Sequence, residues 1–241
     1  MFDWLFSLHN VSKEDLNTDL EIVRNRISSN DNTIGLVALK RNSLYVLIDL
    51  RAIINEICDC LIIGCNQAAI TLTNHLFENA LKHILITWDS QGRRFSENQP
   101  MEETFKKEVK RYDNKNLNDN IEACKERNLI SEEEANRLKE LKINFRNPLS
   151  HASYMNLFKN VTIPIWRGKF NNPGHIVEEK VNIATVPSFS VFAQKEYANK
   201  CAFGYFIEIY AFIGIVDKKL LDLYPDTKAF VEKGHSCKDE K

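Results

Sequence analysis

Ser131-Glu132-Glu133-Glu134-Ala135-Asn136-Arg137-Leu138-Lys139-Glu140-Leu141-Lys142-Ile143-Asn144-Phe145-Arg146-Asn147-Pro148-Leu149-Ser150-His151 decides how the chain is read. Ser131 and Glu134 stand at the spacing of a capping box, and Ala135, Leu138, Leu141 and Phe145 recur at helical intervals. The spacing predicts a helix from Ser131 to Phe145 with Arg146 at its end. In an unbroken helix, five residues turn through roughly 500°, so Arg146 and His151 would point about 140° apart. Pro148 is read as a break, because it cannot continue the hydrogen-bond ladder and suits the first position of a new helix, with Asn147 as its N-cap. The expectation is that this break brings Arg146 and His151 to one cleft. The free N–H groups of the new helix start would then add an anion-attracting element, and a phosphodiester is the natural occupant.

The same helical periodicity extends outward. Ser12 and Asp15 open a helix reaching about Ser28, and Asn30-Asp31-Asn32 signals a turn. Two long helical patterns follow, about 34–63 and 67–88, then a loop from Gly92 to Pro100, a charged helix near 101–112 and a short one near 117–127. From Val161 the pattern changes. Val161-Thr162-Ile163-Pro164-Ile165-Trp166 and Lys180-Val181-Asn182-Ile183-Ala184-Thr185-Val186 alternate like strands around Asn171-Asn172-Pro173-Gly174, which reads as an inserted β-hairpin at about 161–188. A last helix runs from about Val191 to Leu223, and the charged tail from Lys233 is expected to fray. The fold class is therefore all-α, a helical bundle with a small inserted β-hairpin. It is read as one domain over 1–241 with an N-terminal helical extension at about 1–32.

Composition sets the frame for function. A chain of 241 residues that is 44% hydrophobic can bury a sizeable core. A formal net charge of -1 carries no global signature of nucleic-acid binding, so any RNA contact has to be local. Arg93 and Arg94 with Lys106, Lys107, Lys110 and Arg111 form the candidate basic rim, with Phe95 and Tyr112 available for stacking. Glu97, Glu102, Glu103 and Glu108 are interspersed, which makes an ordinary solvated helix face the competing reading. Met1-Phe2-Asp3-Trp4-Leu5-Phe6-Ser7 lacks the pattern of a secretory signal, and a cytoplasmic chain is expected. Of six cysteines, Cys58, Cys60 and Cys65 cluster on an apolar helix end, where reduced, buried thiols are favoured over a metal site. No metal and no cofactor is expected. The apolar run Cys201–Val216 contains Glu208 and is shorter than the roughly 20 residues that span a bilayer. It reads as a buried helix rather than a membrane span, in the bundle centre or at a subunit interface, where Gly204, Ala211 and Gly214 permit close approach.

Arginine, a polar residue, further residues and then histidine, carried at a junction in an all-helical chain, resembles the R-x4-6-H motif of HEPN-domain ribonucleases. The residues are Arg146, Asn147 and His151, and the family favours a polar residue after the arginine. Ala69–His83 is similar to an early HEPN core helix, and the likeness spans about Leu36 to Leu223. The resemblance implies an endoribonuclease in a toxin–antitoxin or antiviral abortive-infection setting, a homodimer, and an antitoxin protein as a further partner. The chemistry also follows from the side chains alone. Attack of a ribose 2'-hydroxyl on the adjacent phosphorus needs a base, positive charge for the phosphoryl oxygens and a proton donor for the leaving oxygen, and no metal. His151 suits the base and Arg146 the bidentate phosphate clamp. Asn147 caps the helix, meets the phosphate, or does both. Tyr154 packs, orients the imidazole or stacks on a base. Asn74, His75 and Glu78, on one turn of a core helix, line a cleft or form a solvent-facing stripe. The rival to a ribonuclease is a noncatalytic helical module that binds nucleotides or proteins, with Arg146 and His151 structural.

Overall fold

The computed structural model describes residues 13–42, 44–92, 105–150, 154–169 and 172–224. The chain is mostly helical with one small two-stranded antiparallel sheet. In order come α1 (Lys13–Ser28), α2 (Thr33–Arg41), a 3-10 turn (Ile48–Leu50), α3 (Arg51–Ile62) and α4 (Asn66–Asp89). They are followed by α5 (Lys106–Asp113), α6 (Leu117–Glu126), α7 (Glu132–Leu141), a π turn (Lys142–Arg146), α8 (Asn147–Ser150) and α9 (Tyr154–Phe158). β1 (Thr162–Lys169), β2 (Asn172–Asn182), a second 3-10 turn (Ile183–Thr185) and α10 (Pro187–Leu223) complete the described chain.

Helix α4 is the axle. It packs against α3, α5, α6 and α10, and its 24 residues bury Ala69, Ile70, Thr73, Leu76, Phe77, Ala80, Leu81, Ile84 and Leu85. That sequence of three- and four-residue steps makes a wide apolar stripe. Helix α10 answers it with Ala198, Ala202, Tyr205, Phe206, Ile209, Ile213, Val216 and Leu220, which join the same core cluster. By length and composition alone α10 is apolar enough to cross a bilayer, yet one whole face of it lies in this core. Among the described residues, Gly204 and Gly214 meet no heavy atom within 4 Å of where a Cβ would stand, so neither brings another described helix close. Glu208, on the same helix, is held bidentately by Arg137 at 2.9 and 2.8 Å.

The predicted helix over 34–63 is two helices. Asn42 is extended (φ -72, ψ 136), and the chain reaches α3 through a loop whose three consecutive N–H groups, from Tyr45, Val46 and Leu47, donate to the Asp217 carboxylate at 2.8, 2.8 and 2.7 Å. Asp217 is 2% exposed. A carboxylate from the far end of the sequence thus takes the place of the helical carbonyls that those amides would otherwise need.

The hairpin pairs Thr162 with Asn182, Ile165 with Glu179 and Trp166 with Glu178, with an irregularity between Gly168 and Lys169. Ile163, Ile165 and Val181 share one half-buried face, while Trp166 and Ile176 on the other are 70% and 64% exposed. Helix α10 begins four residues before the predicted Val191, because Pro187 at its first turn has no N–H to leave unpaired. The readings at 1–12 and 93–104 and for the tail from Lys233 lie outside the described residues.

Candidate functional site

Ser131 and Glu134 form the full capping box, with the Ser131 side chain accepting from the Glu134 N–H at 3.1 Å and Glu134 accepting from the Ser131 N–H at 2.7 Å. Helix α7 therefore starts where its sequence says. Its end differs from the expectation. Asn147 has helical angles (φ -65, ψ -50) and is no N-cap, and the chain runs into α8 without an extended residue. The physical reason is a π turn. In a regular α-helix Pro148 would offer no N–H to the Asn144 carbonyl and its ring would collide with it. Between Lys142 and Arg146 the helix widens instead, so the Asn147 N–H bonds the Lys142 carbonyl five residues back. The Asn144 carbonyl accepts from the Tyr197 hydroxyl on α10 at 3.3 Å. Because the chain is already helical there and the Asn147 N–H is taken by Lys142, Asn147 does not cap a separate new helix as expected.

The turn presents Phe145 and Arg146 to the core helices. Phe145 stacks on Tyr205 with ring centroids 4.4 Å apart and planes 13° from parallel, and it lies 6.1 Å from the Tyr197 ring. Tyr197 also meets Phe158 of α9 edge-on at 6.4 Å. One tyrosine thus grips both flanks of the motif, touching the chain before it at Asn144 and Phe145 and after it at Phe158. Burial pushes the Tyr197 hydroxyl up to about 12, with Cys201 adding to the shift. It stays a neutral donor.

Arg146 Nε donates to Glu78 Oε1 of α4 at 2.7 Å, and its terminal NH1 reaches Asn147 Oδ1 at 3.5 Å. The two charged side chains are 25% and 34% exposed, so the pair sits at the rim of the core. Asn74, one turn earlier on α4, is buried and accepts from the Tyr205 hydroxyl at 2.8 Å. That hydroxyl is raised well above its ordinary range by burial, with the Glu78 charge adding and Arg146 opposing. The three polar residues read on one turn of α4 therefore part company. Asn74 is an interior hydrogen-bond partner, Glu78 holds Arg146, and His75 is exposed.

His151, the other half of the motif, and Arg93 and Arg94 of the basic rim lie outside the described residues, as does Phe95; Tyr154 opens α9, with its side chain also outside them. Lys107 is exposed on α5. One expectation for this rim is corrected. Tyr112 is fully buried and is not available to stack on a base. Its hydroxyl donates to Asp89 Oδ2 at 2.6 Å and accepts from Arg127 at 2.7 Å. Arg111 also turns to Asp89, at 2.6 Å, so its charge is matched by a carboxylate. Burial alone would raise the Asp89 carboxyl, but bonds from Tyr112, Arg111 and Arg127 outweigh it and hold it below the usual range. Among the described residues, no group of three or more His, Cys, Asp or Glu side chains is placed to hold a metal ion.

Comparison of the chain with family models, with curated proteins and with solved structures finds no match.

Proposed function

We propose that the chain is a metal-independent endoribonuclease of the HEPN type, with Arg146, Asn147 and His151 meeting the scissile phosphate. The observation that carries this reading is the setting of Arg146. It stands at a π turn, a form of helix that recurs at functional sites, with Nε fixed by Glu78 and NH1 facing Asn147. A guanidinium anchored at one nitrogen is pre-aimed, so less freedom is lost when it grips an anion. In the proposed reaction His151 removes the 2'-hydroxyl proton, the 2'-oxygen attacks phosphorus, and the bond to the 5'-oxygen breaks. Arg146 balances the charge gathering on the phosphoryl oxygens. The products are a 2',3'-cyclic phosphate and a 5'-hydroxyl.

One motif supplies one histidine, whereas the reaction uses a proton acceptor and a proton donor. The proposal therefore includes a homodimer in which His151 of a second copy protonates the leaving oxygen. Its setting is cytoplasmic toxin–antitoxin or antiviral defence, with RNA as substrate and an antitoxin protein as restraint. The test is digestion of defined RNA in EDTA by the full chain, alongside Arg146→Ala and His151→Ala. Cleavage that survives chelation and disappears in both variants supports the reading.

The Arg146–Glu78 pair also favours a second reading, a noncatalytic module in which Arg146 ties the π turn to α4. In that case the wild type cuts no RNA, and Arg146→Ala registers only as a lower melting temperature.

A further inference from the structure

Helix α3 ends in a Schellman motif. Gly64 takes the left-handed conformation (φ +77), its N–H bonds the Leu61 carbonyl at 3.2 Å, and the Cys65 N–H reaches back to the Cys60 carbonyl at 2.7 Å. This motif commonly brings together the side chains of the residues closing its wider ring. Here both are cysteines. The 2.7 Å bond also limits their separation: with ordinary backbone bond lengths the two Cα atoms stand no more than about 6.5 Å apart, inside the roughly 4.4–6.8 Å that disulfides span.

We propose that Cys60 and Cys65 are a reversible oxidation site, closed to an intramolecular disulfide by a low-molecular-weight disulfide such as glutathione disulfide. This rests on the α3–α4 corner and stands apart from the ribonuclease reading. Cys65 is exposed and Cys60 half-buried, so the incoming disulfide meets Cys65 first. The Cys65 thiolate attacks one glutathione sulfur, the S–S bond of the oxidant breaks, and glutathione leaves as a thiolate that takes up a proton. The Cys60 thiolate then attacks the Cys65 sulfur of the mixed disulfide and expels the second glutathione. Two thiols are oxidised and one disulfide is reduced to two glutathione thiols. Burial and the neighbouring Cys65 raise the Cys60 thiol, which makes the second attack depend on the two sulfurs being held together. The remaining described thiols are poor competitors. Cys58 and Cys124 are buried, and burial pushes them up to about 11 and about 12. Cys201 is half-buried and pushed up to about 11.

The product is a cross-link across the glycine corner between α3 and α4, the helix that carries Asn74 and Glu78. Its test is an equilibrium titration of the full chain carrying Cys237→Ser against mixtures of reduced and oxidised glutathione, in buffer and in urea. Alkylation of residual thiols and peptide mass mapping then locate the bridge. The expected result is a Cys60–Cys65 bridge with Cys58 still alkylated, and an effective thiol concentration at least about tenfold higher in the native chain than in urea. Cys60→Ser is expected to stop at a stable glutathione adduct on Cys65. A native Cys237→Ser chain with both Cys60 and Cys65 that also stops at that adduct overturns the proposal. So does a bridge to Cys58, or one that forms equally well in urea.

Discussion

Helix α10 repairs an interrupted helical ladder at two places, and it does so with opposite chemistry. Near its C-terminal end Asp217 is an acceptor for three orphaned amides of the 45–47 loop, at 2.7–2.8 Å and with 2% exposure. Near its N-terminal end Tyr197 is a donor for one carbonyl, that of Asn144, which Pro148 cannot serve, at 3.3 Å and on the surface. The first repair is multiple and charged, and its carboxylate is buried. The second is single, neutral and wet, and it stands beside an ion pair, a π turn and two stacked aromatic rings. The pattern sets a corner held by several charged hydrogen bonds against a joint held by one neutral hydrogen bond, an ion pair and aromatic packing.

The largest effect is expected at the Asp217 corner. Asp217→Ala takes the acceptor from three amides, that of Leu47 buried and those of Tyr45 and Val46 partly so, at about 1–3 kcal/mol for each buried group left unmade. A loss of about 3 kcal/mol or more is expected in urea unfolding, and Asp217→Asn, which keeps one acceptor oxygen, is expected to lose less. A change under about 1 kcal/mol in the alanine variant would remove the contrast between the two ends.

At the joint the expected signature is chemical. Arg146→Ala and His151→Ala are each expected to lower cleavage at least about 100-fold, equivalent to about 2.7 kcal/mol of barrier. Arg146→Ala is expected to cost only about 1 kcal/mol of stability, since its pair with Glu78 is partly solvated. Glu78→Gln is expected to reduce cleavage about tenfold by loosening Arg146, leaving the His151 limb of the pH–rate profile where it was. Stability losses that match or exceed the activity losses would make the joint structural too.

Much of this was legible in the sequence, for reasons that can be assigned. The capping box at Ser131 and Glu134 is local, as are the apolar steps of α4 and the alternation on either side of the hairpin turn, so each reads directly. What failed depended on distant partners. Leu44, Leu47 and Leu50 continue a helix-like spacing, and only Asp217, 170 or more residues away, makes a loop there satisfactory. Tyr112 sits among basic residues and reads as exposed until Asp89 takes its hydroxyl. Pro148 reads as a helix stop because a π turn leaves no mark in propensity, and the Glu78 partner of Arg146 lies 68 residues before it. The Arg146 and Asn147 half of the candidate site is thus legible in identity, while its geometry required the fold.

Alkaline pH separates the two repairs further. The folded-state pKa of Tyr197 is raised, to about 12 against an ordinary 10.0. A raised value means that its contribution is complete below pH 10 and disappears as pH climbs through 12. Unfolding followed from pH 9 to 12 is expected to show a loss that is smaller in Tyr197→Phe. An equal loss in the variant would assign the alkaline transition to other tyrosines.

The smallest and sharpest effect is expected from a double-mutant cycle at the π turn. Tyr197→Phe takes the tyrosine donor from the Asn144 carbonyl, and because that bond lies at the surface the cost is about 0.5–1 kcal/mol. Pro148→Ala gives the chain back an N–H four residues after Asn144, so the π turn can relax to a regular α-helix whose own ladder satisfies the carbonyl. Tyr197→Phe is then expected to cost almost nothing in the Pro148→Ala background, a coupling of about 0.5–1 kcal/mol. Pro148→Ala alone is expected to be neutral or slightly stabilising, yet to lower cleavage, because regular winding turns Arg146 away from Glu78 and Asn147. Additive stability changes would mean that Tyr197 does not compensate for the proline. A Pro148→Ala variant with full activity would mean that the π turn does not aim Arg146.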